Sequence, residues 1–141
     1  MRSIRWLVVV AATILAISAC TAAPSAAAHK AFRLDKTCVA DVCTIVSSDI
    51  DAIPVGTLVK YSQIGDGSTL QQNATFTTEN GSASGFCDFN YDGKPLAAQC
   101  TFLSGTGALK GFHLVADVTL TGDGMGPDSV WHWNGTYWFG D

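Results

Sequence analysis

The sequence predicts an all-β domain: a single antiparallel eight-stranded barrel, with a two-sheet β-sandwich as the alternative, stapled by two disulfides. Three observations predict it. The chain is rich in glycine, threonine, valine and aromatic residues, and only 14% of its side chains are charged. Short segments of alternating polar and apolar character recur between turn signals. No stretch keeps a helical period over three turns. About eight short strands joined by hairpins must manage their edges, so closure into a barrel or packing as a sandwich is expected.

Ahead of the strands lies an export signal. Arg2 and Arg5 flank a short positive region, and Trp6 to Ala19 is apolar. Those residues fall short of the roughly 20 that span a bilayer, so the stretch suits a signal core ending at residue 19. Ile17-Ser18-Ala19-Cys20 resembles the lipobox of bacterial lipoproteins. That resemblance implies lipid attachment at Cys20, a tether over 20–30 and a barrel domain over 31–141. The alternative is ordinary cleavage after Ala26-Ala27-Ala28, which extends the signal to residue 28 and starts the mature chain at His29. Both readings predict an exported protein, either lipid-anchored on the outer face of the cell membrane or secreted. Membrane association is then expected only through the anchor at Cys20.

Cysteine parity fits both. Of five cysteines, Cys20 is either acylated or removed, which leaves Cys38, Cys43, Cys87 and Cys100. An even set in an exported domain reads as two disulfides. Three pairings are open. Cys38–Cys43 and Cys87–Cys100 are preferred, since each pair brackets a turn-rich segment. Each crosslink contributes roughly 2–4 kcal/mol. A metal site is not expected, because no Cys-x-x-Cys spacing occurs and the histidines are dispersed.

From His29 onward the length suits one domain. Without Arg2 and Arg5 the chain carries 6 basic and 12 acidic residues. No basic stripe remains, so no nucleic-acid partner is expected.

The strands follow in order. Ala31–Leu34 and Thr44–Val46 are the first two, separated by the Cys38–Cys43 turn. Ile53-Pro54-Val55-Gly56 is a break before Leu58–Tyr61. Gly65–Ser68 turns into Thr69–Thr77, Glu79–Ser82 into Ala83–Phe89, and Tyr91–Lys94 into Leu96–Leu103. A turn at Ser104-Gly105-Thr106-Gly107 leads to the longest strand, Leu109–Leu120. In its Phe112–Leu120 part the even positions are all apolar and the odd ones are His, Val, Asp and Thr, giving one dry face and one wet face. The break at Gly122–Asp128 precedes a tryptophan-rich strand at the C-terminal end.

The segment Ser104-Gly105-Thr106-Gly107-Ala108-Leu109-Lys110-Gly111-Phe112 resembles a signature of allene oxide cyclase-like and dirigent-like barrels. These carry a Gly-Thr-Gly turn, an apolar residue two positions on and a small residue opening a long strand. The resemblance implies an eight-stranded antiparallel barrel whose mouth binds apolar or phenolic small molecules. A cyclase's catalytic carboxylate has no counterpart that can be placed here, and the two disulfides depart from the pattern. A fainter resemblance is to secreted two-disulfide chromophore-carrying sandwiches of actinobacteria, of this size and with a Cys-x4-Cys.

The candidate ligand-binding residues are Trp131, Trp133, Tyr137 and Trp138. By period two, Trp131 and Trp133 share one face of the last strand, while His132 and Asn134 share the other. Asn134-Gly135 reads as a tight turn or a glycine bulge, after which Tyr137 and Phe139 take the face opposite Trp138. These rings either line a pocket for a ring-bearing ligand or fill the barrel floor, since indoles bury large areas in small cores. Trp138 is expected to be the more exposed.

His113, Asp117 and His132 could meet on the outside of a hairpin, where solvated surface roles are expected rather than proton transfer. Asp123 and Asp128 could hold calcium, although their spacing is unlike an EF-hand and a solvated turn suits them better. Gly65-x-Gly67 and Gly122-x-Gly124-x-Gly126 lack the following helix of a dinucleotide site. Asn73, Asn80 and Asn134 head Asn-x-Ser/Thr triplets, which matter only where the source glycosylates such sites.

The expected function is therefore binding of a small apolar or aromatic molecule, with no cofactor and no assigned catalytic residue. A cyclase- or isomerase-type enzyme of the barrel family, or an envelope-interaction lipoprotein without a small ligand, are the alternatives. A hairpin centred near Asp92-Gly93 sets Cys87 opposite Cys100 and Phe89 near Leu96–Ala98. Peptide mapping without reduction is expected to recover Cys87 joined to Cys100. A Cys38–Cys87 or Cys43–Cys100 link would break that register.

Overall fold

Eight strands succeed one another along the chain: β1 (Lys30–Val39), β2 (Val42–Ser48), β3 (Leu58–Gln63), β4 (Gln71–Thr78), β5 (Gly81–Asn90), β6 (Ala97–Gly107), β7 (Phe112–Thr121) and β8 (Val130–Phe139). In the computed structural model each strand pairs antiparallel with the next, and β8 returns to β1 to close the barrel. The residues described are 27–39, 42–63, 70–90, 97–124 and 128–140. The expected export signal, Cys20, most of the expected tether and the turns expected at Gly65–Ser68 and Tyr91–Lys94 lie outside them.

Alternation builds the wall. Along β7, Phe112, Leu114, Ala116 and Val118 are buried while Val115, Asp117 and Thr119 are exposed. On β8, Trp131 and Trp133 face inward while Asn134 is exposed. An eight-stranded barrel has an interior just wide enough for side chains to fill. Here Phe76 and Phe102 stack with centroids 4.5 Å apart, and Trp133 lies against both at 5.7 and 6.1 Å. Small inward residues offset these rings: Ala74, Ala83, Ala98 and Ala116 are all buried in the same core.

Both disulfides have the preferred pairing, Cys38–Cys43 and Cys87–Cys100. Each joins directly opposed positions of neighbouring strands. The β5–β6 register also sets Phe89 opposite Ala98, as the hairpin predicts.

Three local expectations are corrected. The Ser104–Gly107 segment is the end of strand β6, not a turn; the chain reverses over Ala108–Gly111. Gly105 permits this, because a Cβ there would sit 1.9 Å from the carbonyl oxygen of Leu109, which folds back over the strand end. Asn134-Gly135 is neither a turn nor a bulge. Strand β8 keeps one unbroken register against both β1 and β7, and the missing Cβ of Gly135 admits the Val115 carbonyl oxygen, 2.0 Å from where that atom would stand. Finally, β1 does not stop at Leu34 but runs on to Val39, carrying Asp35 and Lys36 into the sheet.

Phe102 is fully buried in the ring stack. Phe102→Ala is expected to cost about 3–5 kcal/mol, by lost transfer energy plus a cavity. Urea unfolding followed by far-UV circular dichroism measures it, with the midpoint falling and the slope unchanged.

Candidate functional site

The inward positions of β1 follow its alternation: Phe32, Leu34, then Lys36. Phase alone therefore sends a lysine into the barrel. It is opposed by Ile45 on β2 and by Trp131 on β8. A register shift between Asp35 and Lys36 relative to β2 leaves the β8 pairing undisturbed. Lys36 is only 2% exposed.

Aromatic rings surround its nitrogen. The ammonium lies 4.4 Å from the ring centroid of Tyr61, 5.2 Å from that of Trp131 and 5.6 Å from that of Trp133. Phe89 completes the group, meeting Tyr61 and Trp131 edge-on, each at 6.1 Å. Below these rings is the Cys38–Cys43 disulfide. Lys36 Nζ donates to Cys43 Sγ at 3.3 Å and to Cys38 Sγ at 3.5 Å. Sulfur is a weak acceptor. Among the described residues no carboxylate pairs with Lys36.

Burial decides the electrostatics. The ring faces favour a cation, each by about 0.5–2 kcal/mol, yet loss of hydration outweighs them and lowers the Lys36 pKa from 10.5 to about 7. The side chains packed beside Lys36 bring further donors. The indole nitrogens of Trp131 and Trp133 are buried with no hydrogen-bond partner.

The four sequence-predicted ligand residues are divided. Trp131 and Trp133, 8% and 1% exposed, lie inside against Lys36. Tyr137 packs at the opposite end of the core, with its ring 6.1 Å from Phe32 and 6.2 Å from Phe112. Trp138 stands on the outer wall, stacked between His29 at 4.1 Å and His113 at 5.1 Å. Lys36, Tyr61 and Phe89 were not anticipated. The signal for Lys36 was present in the alternation Phe32-x-Leu34-x-Lys36, hidden because Asp35-Lys36 reads as the polar end of a strand.

The expected outer cluster of His113, Asp117 and His132 does not form. The β7–β8 register sets His113 opposite Trp138 and His132 opposite Thr119. His132 Nδ1 instead meets Asp35 Oδ1 at 2.7 Å, its other ring nitrogen meets the Thr121 hydroxyl at 3.0 Å, and Asp117 accepts from Gln99. Asp123 accepts the Ser129 hydroxyl at 2.8 Å, and the Ser129 oxygen takes the Gly124 N–H at 2.9 Å, so that carboxylate ties a turn. Among the described residues no three His, Cys, Asp or Glu side chains converge as for a metal. Asn73, Asn80 and Asn134 are all exposed.

At the end of the barrel opposite Lys36, the β2–β3 connection and the β4–β5 turn border a groove of about 570 Å³. Val55, Leu58 and Glu79 line it, and none of the candidate aromatic residues does.

Lys36 makes stability depend on pH with a definite sign. Between about pH 7 and 10 the unfolded lysine holds a proton that the folded one has lost, so stability rises with pH across that window. Below pH 7 both states are protonated and the full cost of burying the charge is felt. Lys36→Met is expected to raise stability at pH 6–7 by about 1–4 kcal/mol, as replacing buried charge with apolar volume does. The difference between variant and native chain should then shrink towards pH 10, measured as urea midpoints at each pH.

No family model, curated protein or solved structure matches the chain.

Proposed function

We propose that this is an exported β-barrel protein that binds a small apolar or aromatic molecule at the Lys36 end of the barrel. One observation carries the reading: Tyr61, Phe89, Trp131 and Trp133 gather around a buried amine that pairs with no carboxylate among the described residues. A core selected for stability alone gains nothing from a desolvated lysine. Binding sites, in contrast, combine aromatic walls with a few placed polar groups and shifted pKa values.

Export is supported by the two disulfides, which persist in oxidising compartments. The residues ahead of position 29 support it as well, through lipidation at Cys20 or ordinary cleavage. The likeness of Ser104–Phe112 to allene oxide cyclase-like and dirigent-like barrels points the same way, towards apolar or phenolic ligands.

A cyclase- or isomerase-type enzyme is the second reading. Lys36 speaks for it, since an amine with a pKa near 7 can exchange a proton at neutral pH. Against it, the buried described residues include no carboxylate and no imidazole to work beside that amine. Binding therefore has the stronger support.

Tryptophan emission tests the seat, read while methyl decanoate or methyl 4-phenylbutyrate is titrated. In Trp138→Phe the emission of Trp131 and Trp133 is expected to shift on addition, as in the native chain. In the Trp131→Phe/Trp133→Phe double variant, where Trp138 reports alone, the shift is expected to vanish. A shift kept by the double variant and lost in Trp138→Phe would move binding to the outer wall. The absence of any shift in the native chain would overturn the reading.

A further inference from the structure

Resting on the binding reading above, we infer that the ligand class is an apolar carboxylic acid, aryl or alkyl, whose carboxylate is received by Lys36 and the indole N–H groups of Trp131 and Trp133. The inference comes from counting donors against acceptors. Three buried nitrogen donors lie on side chains packed together: Lys36 Nζ and the Nε1 atoms of the two rings nearest it on β8. Among the described residues the indole donors have no partner, and Lys36 Nζ has only the two disulfide sulfurs. No oxygen acceptor from the described residues answers Lys36. Buried donors are normally satisfied, so these nitrogens call for an acceptor.

The group called for has a definite chemistry. It must accept hydrogen bonds, because the indole nitrogens of Trp131 and Trp133 can only donate. Negative charge suits it best, because no carboxylate of the described residues faces Lys36 and a charge-assisted bond is about twice as strong as a neutral one. The rest of the molecule must be apolar, because the chamber wall is Tyr61, Phe89, Trp131 and Leu120. An inorganic anion meets the first two demands and fails the third. A neutral phenol or ester meets the first and third and fails the second.

The titratable groups near Lys36 are few. From β3 comes Tyr61, and from β5 and β8 come only the rings of Phe89, Trp131 and Trp133. The cysteines of β1 and β2 are joined and do not titrate. Asp35, the nearest carboxylate in sequence, lies on the outer face with His132. A bound carboxylate is therefore the only negative charge that would face Lys36 from the described residues. Its arrival favours the ammonium, so binding near pH 7.5 takes up a proton.

Calorimetry on the secreted, disulfide-intact protein tests this with 4-phenylbutyrate and decanoate, each beside its methyl ester. The ester keeps the apolar body and a carbonyl acceptor and lacks only the charge. The acids are expected to bind at least about 10-fold more tightly than the esters, a difference of one charge-assisted contact. In Lys36→Met the preference of acid over ester should disappear. In the native chain, titration at pH 7.5 in buffers of different ionisation heat should show proton uptake with the acids and none with the esters; this arm does not depend on a variant. Acids and esters binding equally, with no proton uptake, would overturn the inference and leave the binding reading standing. If neither acids nor esters bind, both fall together.

Discussion

The pairing of β1 with β8 is the constraint on which the rest of the molecule depends. It removes the last sheet edge, and it makes every residue of the wall either inward or outward by its phase along the strand. Once closed, the interior has a fixed volume, and the inward residues must fill it jointly. The sequence meets that demand by contrast in size. Phe76, Phe102 and Trp133 crowd the centre, and alanines on β4, β5, β6 and β7 give them room. Even the disulfides serve this packing. Cys87 and Cys100 are buried on the inner wall, joining strands already neighbours, so they brace the wall rather than connect distant parts.

The same constraint sets two charged neighbours in opposite surroundings. Asp35 points outward and meets His132, with both side chains more than a third exposed. A pair in that position is screened by water and is worth about 0–1 kcal/mol. Lys36, one residue on, points inward and has lost its hydration. Its ring contacts and the sulfurs of Cys38 and Cys43 offset only part of that loss, which is why its pKa falls towards 7. The chemically distinctive group of this protein is thus made by backbone phase. Any one-residue slip of β1 would exchange the two side chains and bury the carboxylate instead.

Much of the architecture was legible because it rests on period two. The β7 alternation from Phe112 to Leu120, the pairing of Cys87 with Cys100 and the inward placement of Trp131 with Trp133 all follow from counting by twos along strands that hairpins bring together. What was illegible depends on contacts that period two does not fix. Gly105 and Gly135 read as turn formers in isolation, yet each lies within a strand where another chain segment passes too close for a Cβ. The strand end after Leu34 was misplaced for a related reason. Charge normally marks a solvated strand end, and only the folded barrel brings Tyr61 of β3 and the tryptophans of β8 to Lys36 as aromatic neighbours that tolerate it. The three outer residues His113, Asp117 and His132 needed the register itself, which separates them.

Strand direction also relates the two ends of the barrel to the attached N-terminal segment. β1 enters at Lys30, beside Tyr137, and reaches Lys36 beside Trp131, roughly 20 Å further along at about 3.3 Å per residue. Just before that entry, His29 is stacked on Trp138, whose other face is covered by His113. Such a three-ring stack holds the chain against the outer wall at the Tyr137 end. A lipid anchor or any other attachment ahead of residue 27 would therefore enter at the end bearing Tyr137 and Phe139, not at the end bearing Lys36. The aromatic chamber would then lie on the side away from the attachment. The closed wall between the two ends leaves no lateral route from one to the other.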